Sequence, residues 1–236
     1  MCAVQNEFGQ HFFVLEVLVL QPVIWILSGA ALGAGCGCGA LYWSCRLLQN
    51  RGRTEYVPRS AQCILVIAAA VCGGAIGFYT RDWLPLVSAL AMLTVGITVS
   101  VSDWLCRIIP NPTVLTLFAL KLVLIAGALL KIPGVPSFNL ISSLGGMVFC
   151  FLVFSIPGLT GKRVGAGDIK IAAAIGFFLG FNYALLAVAF MGLLVLGYSM
   201  FQRKMPLLTF FKTNLPMGPF IMAGMMFSWM VPYISP

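Results

Sequence analysis

The feature that most limits what this chain can become is a succession of apolar runs, at about residues 22–45, 62–79, 84–102, 113–130, 138–156, 168–180, 183–201 and 217–235. A helix crossing the hydrocarbon core needs roughly 20 apolar residues. The runs therefore predict an all-α fold: a polytopic membrane helical bundle with about eight embedded segments, six at the fewest. The sixth run is short, about 20 Å at 1.5 Å per residue. It is expected to be partly sunk, or to start outside the hydrocarbon and end below the far surface. Residues 12–20 either lengthen the first span or lie along the interface. Composition agrees, with 61% hydrophobic and 8% charged residues, against about 25% charged in soluble domains.

Charge placement orients the bundle. If the loop holding Arg46, Arg51, Arg53 and Arg59 is cytoplasmic, alternation puts Arg107, Lys162, Arg163, Lys170, Arg203, Lys204 and Lys212 inside as well. Of the fourteen basic residues eleven are then inside, Arg81 and Lys131 are outside, and Lys121 is within a span. Such asymmetry satisfies the positive-inside rule and predicts both termini outside. The net charge of +8 is expected to meet anionic lipid, and no basic face for nucleic acid is visible. The first ten residues hold no Lys or Arg, so no cleavable signal peptide is expected.

Eight cysteines are present, most within apolar runs, with no CxxC pair, and the one histidine is His11. Cysteines in such runs act as small hydrophobes, so neither a disulfide framework nor a metal site is expected. The chain divides into residues 1–61, an N-terminal span with a short basic loop, and residues 62–236, the remaining membrane domain.

Against this background six acidic residues stand out. Two of them, Asp103 closing the third span and Asp168 opening the sixth, are expected at the same cytoplasmic surface. Boundary aspartates are commonly just hydrated in the headgroup region, but each of these adjoins a distinctive loop. After Asp103 comes Ile109-Pro110-Asn111: Pro110 should stop any helix continuing from the third span, and Asn111 should cap the fourth with Pro112 in its first turn. Before Asp168 come Gly165 and Gly167, which permit positive φ and close backbone approach. Lys170 lies roughly 200° round the helix from Asp168 and reads as an interfacial anchor. Glu16 and Lys121 are ionisable groups within apolar runs that no motif explains.

Asp103 with Ile109-Pro110-Asn111, and Gly165-Ala166-Gly167-Asp168-Ile169-Lys170 running into AAAIGFFLG, resemble the type IV prepilin peptidases, membrane aspartyl peptidases of the GxGD class. LPMGPF at residues 215–220 is similar to that family's closing proline–glycine element, and the likeness spans about residues 60–235. It implies an aspartic endopeptidase of the cytoplasmic membrane, without cofactor or metal. The implied substrate is a prepilin-like membrane protein, cut between a basic leader and an apolar helix. Asp103 and Asp168 would be the catalytic pair. Gly165 and Gly167 would form a loop against substrate backbone, and Lys162, Arg163 or Lys170 would meet a substrate glutamate. Bifunctional members carry a zinc-binding insertion between the first two spans and methylate the new terminus. Here residues 46–61 are short and lack a cysteine pair, which implies a peptidase without methyltransferase activity.

In such a pair one carboxylate takes a proton from water while the other, protonated, polarises the scissile carbonyl. Asp168 begins a helix and Asp103 ends one, so the macrodipoles favour Asp168 as base and Asp103 as acid. Other intramembrane proteases fit less well. A rhomboid-like serine enzyme needs an embedded histidine, a site-two protease needs HExxH, and presenilin relatives expect a tyrosine where Ser102 stands. From another class, a small transporter with coupled carboxylates shares the glycine-interrupted sixth span. It would hold its acids at the midplane, not at one surface.

Overall fold

A computed structural model describes residues 2–52, 57–131, 139–159, 165–201 and 216–234, with side chains from residue 21 onward except at 157–159, 201, 233 and 234. Glu16, Lys162 and Arg163 thus lie outside the residues whose side chains are described. Among the described residues there are eight helices and no strand: α1 (Cys2–Gln49), α2 (Arg59–Thr80), α3 (Trp83–Cys106), α4 (Asn111–Leu129), α5 (Leu140–Leu159), α6 (Ala166–Leu179), α7 (Phe181–Phe201) and α8 (Gly218–Ile234). Five are long and apolar enough to cross a membrane: α1 over Gln21–Gln49, α2, α3, α4 and α7 over Phe181–Met200. Each of the eight apolar runs carries one helix among the described residues, and residues 12–20 lengthen α1, with Pro22 inside that helix.

The outside of the bundle is apolar. Ile141, Leu129, Leu130, Met200 and Leu115 are all at least two-thirds exposed, which suits a surface facing lipid. Most hydroxyl groups inside the helices turn back on their own helix. Ser44 donates to the Ala40 carbonyl, Thr80 to Ile76, Thr98 to Thr94 and Ser102 to Thr98, at 2.7–2.9 Å. No buried polar side-chain atom among the described residues lacks a partner, as a low-dielectric interior demands.

Between helices in lipid the hydrophobic effect gives little drive, so backbones approach where side chains are small. Gly29 and Gly33 of α1 face Gly73 of α2 so closely that an added Cβ on any of them would strike the opposite backbone. Gly146 of α5 and Gly176 of α6 make a second contact of the same kind. The main core gathers Val99, Leu117, Cys150, Ile171, Ala174, Ile175 and Met225 from α3, α4, α5, α6 and α8. The short α6 lies centrally, in contact with α4, α5, α7 and α8.

The fourth helix starts one residue earlier than its sequence suggests. Pro110 occupies the cap position and Asn111 the first helical position, with no side-chain cap bond. The Pro110 carbonyl instead accepts the Thr113 backbone N–H at 3.1 Å and the Thr113 hydroxyl at 2.6 Å. A proline carbonyl served from the third position of the turn leaves Asn111 exposed and without the capping task. Nor does Pro110 end α3, which stops at Cys106 because Arg107 turns left-handed, φ 53° and ψ 39°.

Candidate active site

Asp103 stands in the last turn of α3 and is buried, with 6% of its surface exposed. The helix closes behind it when the Arg107 N–H donates to the Asp103 carbonyl at 2.9 Å, a left-handed C-terminal cap. Its side chain meets the start of α8: the Gly218 backbone N–H donates to Asp103 Oδ2 at 2.7 Å. The first N–H groups of a helix have no partner within it, and Asp103 supplies one.

This contact explains the residues around it. A Cβ on residue 218 would lie 2.9 Å from Asp103 Cβ and 3.0 Å from Oδ2, so glycine is required by space. Pro219 follows in the first turn of α8, where its missing N–H leaves no helical bond unmade. The exposed Arg107 adds a positive charge that acts on the Asp103 carboxylate.

Asp168 is the third residue of α6 and half-buried. Among the described residues no hydrogen bond reaches its carboxylate, whereas Asp103 holds the Gly218 N–H. The two preceding glycines do not use the positive φ expected of them. Gly165 caps the helix at φ −64° and ψ 124°, Gly167 is helical, and neither is among the described positive-φ glycines, Gly52 and Gly180. What they provide is room. A Cβ on residue 165 would lie 2.8 Å from Asp168 Oδ2, and one on residue 167 would lie 3.0 Å from Ile109 Cβ.

That second contact joins the two halves of the site. The short stretch after Arg107 carries the buried Ile109 against the first turn of α6, which brings the end of α3 to the beginning of α6. The two carboxylates are thereby near enough for the Asp103 charge to act on Asp168. Two acids distant in the chain are together, at one end of the core. Lys170 is exposed on α6, Pro110 is buried below the site and Asn111 points away from the core. No cluster of three or more His, Cys, Asp or Glu that could hold a metal is found among the described residues.

Three contributors escaped the sequence: Gly218, Ile109 as a contact and Arg107 as a local charge. The visible signal for Gly218 was the proline–glycine element itself. Its partner across 115 positions was not readable from the chain.

Chemically, the site offers two interacting carboxylates, one held as a hydrogen-bond acceptor and one uncommitted, beside an exposed extended residue at Gly165. Such a pair can share one proton and hold water between its members. No curated protein and no solved structure matches the chain. Residues 90–200, which carry both aspartates, match the type IV leader peptidase family.

Proposed function

We propose that this protein is a membrane-embedded aspartic endopeptidase that removes the basic leader of prepilin-like precursors at the cytoplasmic edge of the cell membrane, with Asp103 and Asp168 as its catalytic pair. The observation that carries the reading is the convergence of the end of α3 and the start of α6 through Ile109 and Gly167, which brings the two carboxylates near enough for one charge to act on the other. The family match supports the peptidase class.

In the proposed reaction water bound between the acids attacks the scissile carbonyl carbon. Its proton passes to the ionised carboxylate, and the protonated partner gives its proton to the carbonyl oxygen. Collapse of the tetrahedral intermediate breaks the C–N bond, and the leaving nitrogen takes a proton from the pair. The contact with α8 supports the opposite of the assignment that the helix ends alone suggest. Asp103 ends α3 but also faces the N-terminus of α8 and accepts an N–H there, which favours its anionic form. In this reading Asp103 is the base and Asp168 the acid of the resting enzyme.

A peptide bond must leave its helix to be attacked. Gly165, exposed and already extended, is where substrate backbone would lie in strand-like pairing. The other face of Gly167 is taken by Ile109. Lys170, and beyond the described residues Lys162 and Arg163, would meet a substrate glutamate. Residues 62–236 would form the peptidase unit, with residues 1–61 as its N-terminal span. The short loop of residues 46–61 supports a form without methyltransferase activity.

Detergent-solubilised protein incubated with a prepilin-like precursor should yield a product lighter by the leader in mass spectrometry. Asp168→Ala and Asp103→Asn should each abolish it. Undiminished cleavage by folded Asp103→Asn would remove the dyad and this function together.

A further inference from the structure

Lys121 lies midway along α4, a transmembrane helix in which a charge is costly: insertion scales give about 2.5–3.5 kcal/mol at the centre of a span. Its ammonium donates to the Phe178 carbonyl of α6 at 2.8 Å and lies 5.6 Å from the centroid of the Phe178 ring. Phe178 belongs to the last turn of α6. That helix stops at Leu179, and α7 starts at Phe181 after a single residue, Gly180, at φ 83°.

With 14 residues, α6 is about 20 Å long at 1.5 Å per residue and ends short of a hydrocarbon core about 30 Å thick. A helix broken at that depth leaves carbonyls and N–H groups without intrahelical partners. Three contacts serve groups at this break. Gly180 N–H donates to the Gly176 carbonyl at 2.9 Å, Phe181 N–H donates to Ser142 Oγ at 3.1 Å, and Lys121 serves Phe178. A cation at a helix C-terminus is also favoured by the macrodipole.

The register gives this joint a role in the site. α4 and α6 pack side by side, and each begins at the level of the aspartates, at Asn111 and Ala166. Lys121 is ten residues beyond Asn111 and Phe178 ten beyond Asp168, about 15 Å along each helix. We infer that Lys121 is a positioning residue: by tying the broken end of α6 to α4 it fixes the axial depth of α6, and so the height at which Asp168 faces Asp103. It touches neither carboxylate and acts through the rigid helix between.

The inference rests on the peptidase reading, and its test has an arm that does not. A cysteine pair at Ile109→Cys and Gly167→Cys reports the depth of α6, because a Cβ on residue 167 would lie 3.0 Å from Ile109 Cβ and disulfides form near 4 Å Cβ separation. Oxidative cross-linking should be ready with Lys121 present, several-fold slower in K121M and restored in K121R. In protein without that cysteine pair, K121M should lower kcat on a prepilin-like precursor by about tenfold to a hundredfold, the penalty of a displacement near 1 Å. KM should stay within a factor of two, and K121R should recover most of the loss.

Unchanged cross-linking in folded K121M overturns the proposal whatever the activity, as does a loss of kcat that K121R fails to rescue. Should K121M not fold, Ser142→Ala, which opens the same joint more gently, is judged by the same cross-link and the same split. Ready cross-linking of the cysteine pair with Lys121 present, slowed in K121M and restored in K121R, together with no cleavage of any precursor by the protein without that pair, would sink the peptidase reading and leave the positioning role standing.

Discussion

At the residue scale, glycines at the site act by what they lack. Gly165, Gly167 and Gly218 each leave space that a methyl group would take from Asp168, Ile109 or Asp103. The sequence shows that glycines cluster beside Asp168, but conformational freedom is the usual reason for glycine, and here the cause lies in neighbours that only the fold supplies. The same holds for the proposed division of labour between the acids. Helix ends are legible, so the macrodipole of α3 was countable, whereas the approach of α8 to Asp103 was not. Gly218→Ala tests the contact. It pushes Asp103 off its N–H donor, and kcat should fall about tenfold to a hundredfold, as a displacement near 1 Å does. Secondary structure by circular dichroism should be unchanged. Wild-type turnover in that variant would show that the donor does not matter.

At the element scale, most of the helices were legible because each is a run of apolar residues between polar or proline-containing turns. The ends were less so. α3 continues through Asp103 to Cys106 and is closed by a left-handed Arg107, a conformation that arginine rarely adopts and that no local rule announces. How the helices pair is carried by small residues. Gly29 and Gly33 against Gly73 let α1 and α2 meet backbone to backbone. Gly73→Leu should drive them apart and lower the detergent melting temperature, with overpacking costing about 1–3 kcal/mol. Below the transition kcat should be close to that of the wild type, since neither carboxylate is carried by α1 or α2. A lost kcat at full folding would mean that these two helices shape the site.

At the scale of the whole molecule, the bundle has an apolar exterior and places its acidic pair at one end of the core. Composition already indicated the membrane class, and the charge asymmetry predicts which end should face the cytoplasm. The convergence of α3, α6 and α8 depends on packing across the entire chain and was not contained in any segment. Orientation is open to direct measurement. In intact cells expressing protein stripped of its native cysteines, a membrane-impermeant maleimide should label Lys131→Cys and spare Arg107→Cys until the membrane is breached. The opposite pattern would place the carboxylates on the outer side and reject cleavage of leaders in the cytoplasm.

The bond between Gly218 and Asp103 also bears on biosynthesis. Ribosomes deliver the chain from its N-terminus, so Asp103 and Asp168 are both in the bilayer well before residue 218 leaves the exit tunnel. Until α8 is inserted, Asp103 has no helix start to receive it. A chain of this design therefore holds both acids in the bilayer before the donor that fixes Asp103 arrives, and its site is completed only when α8 docks.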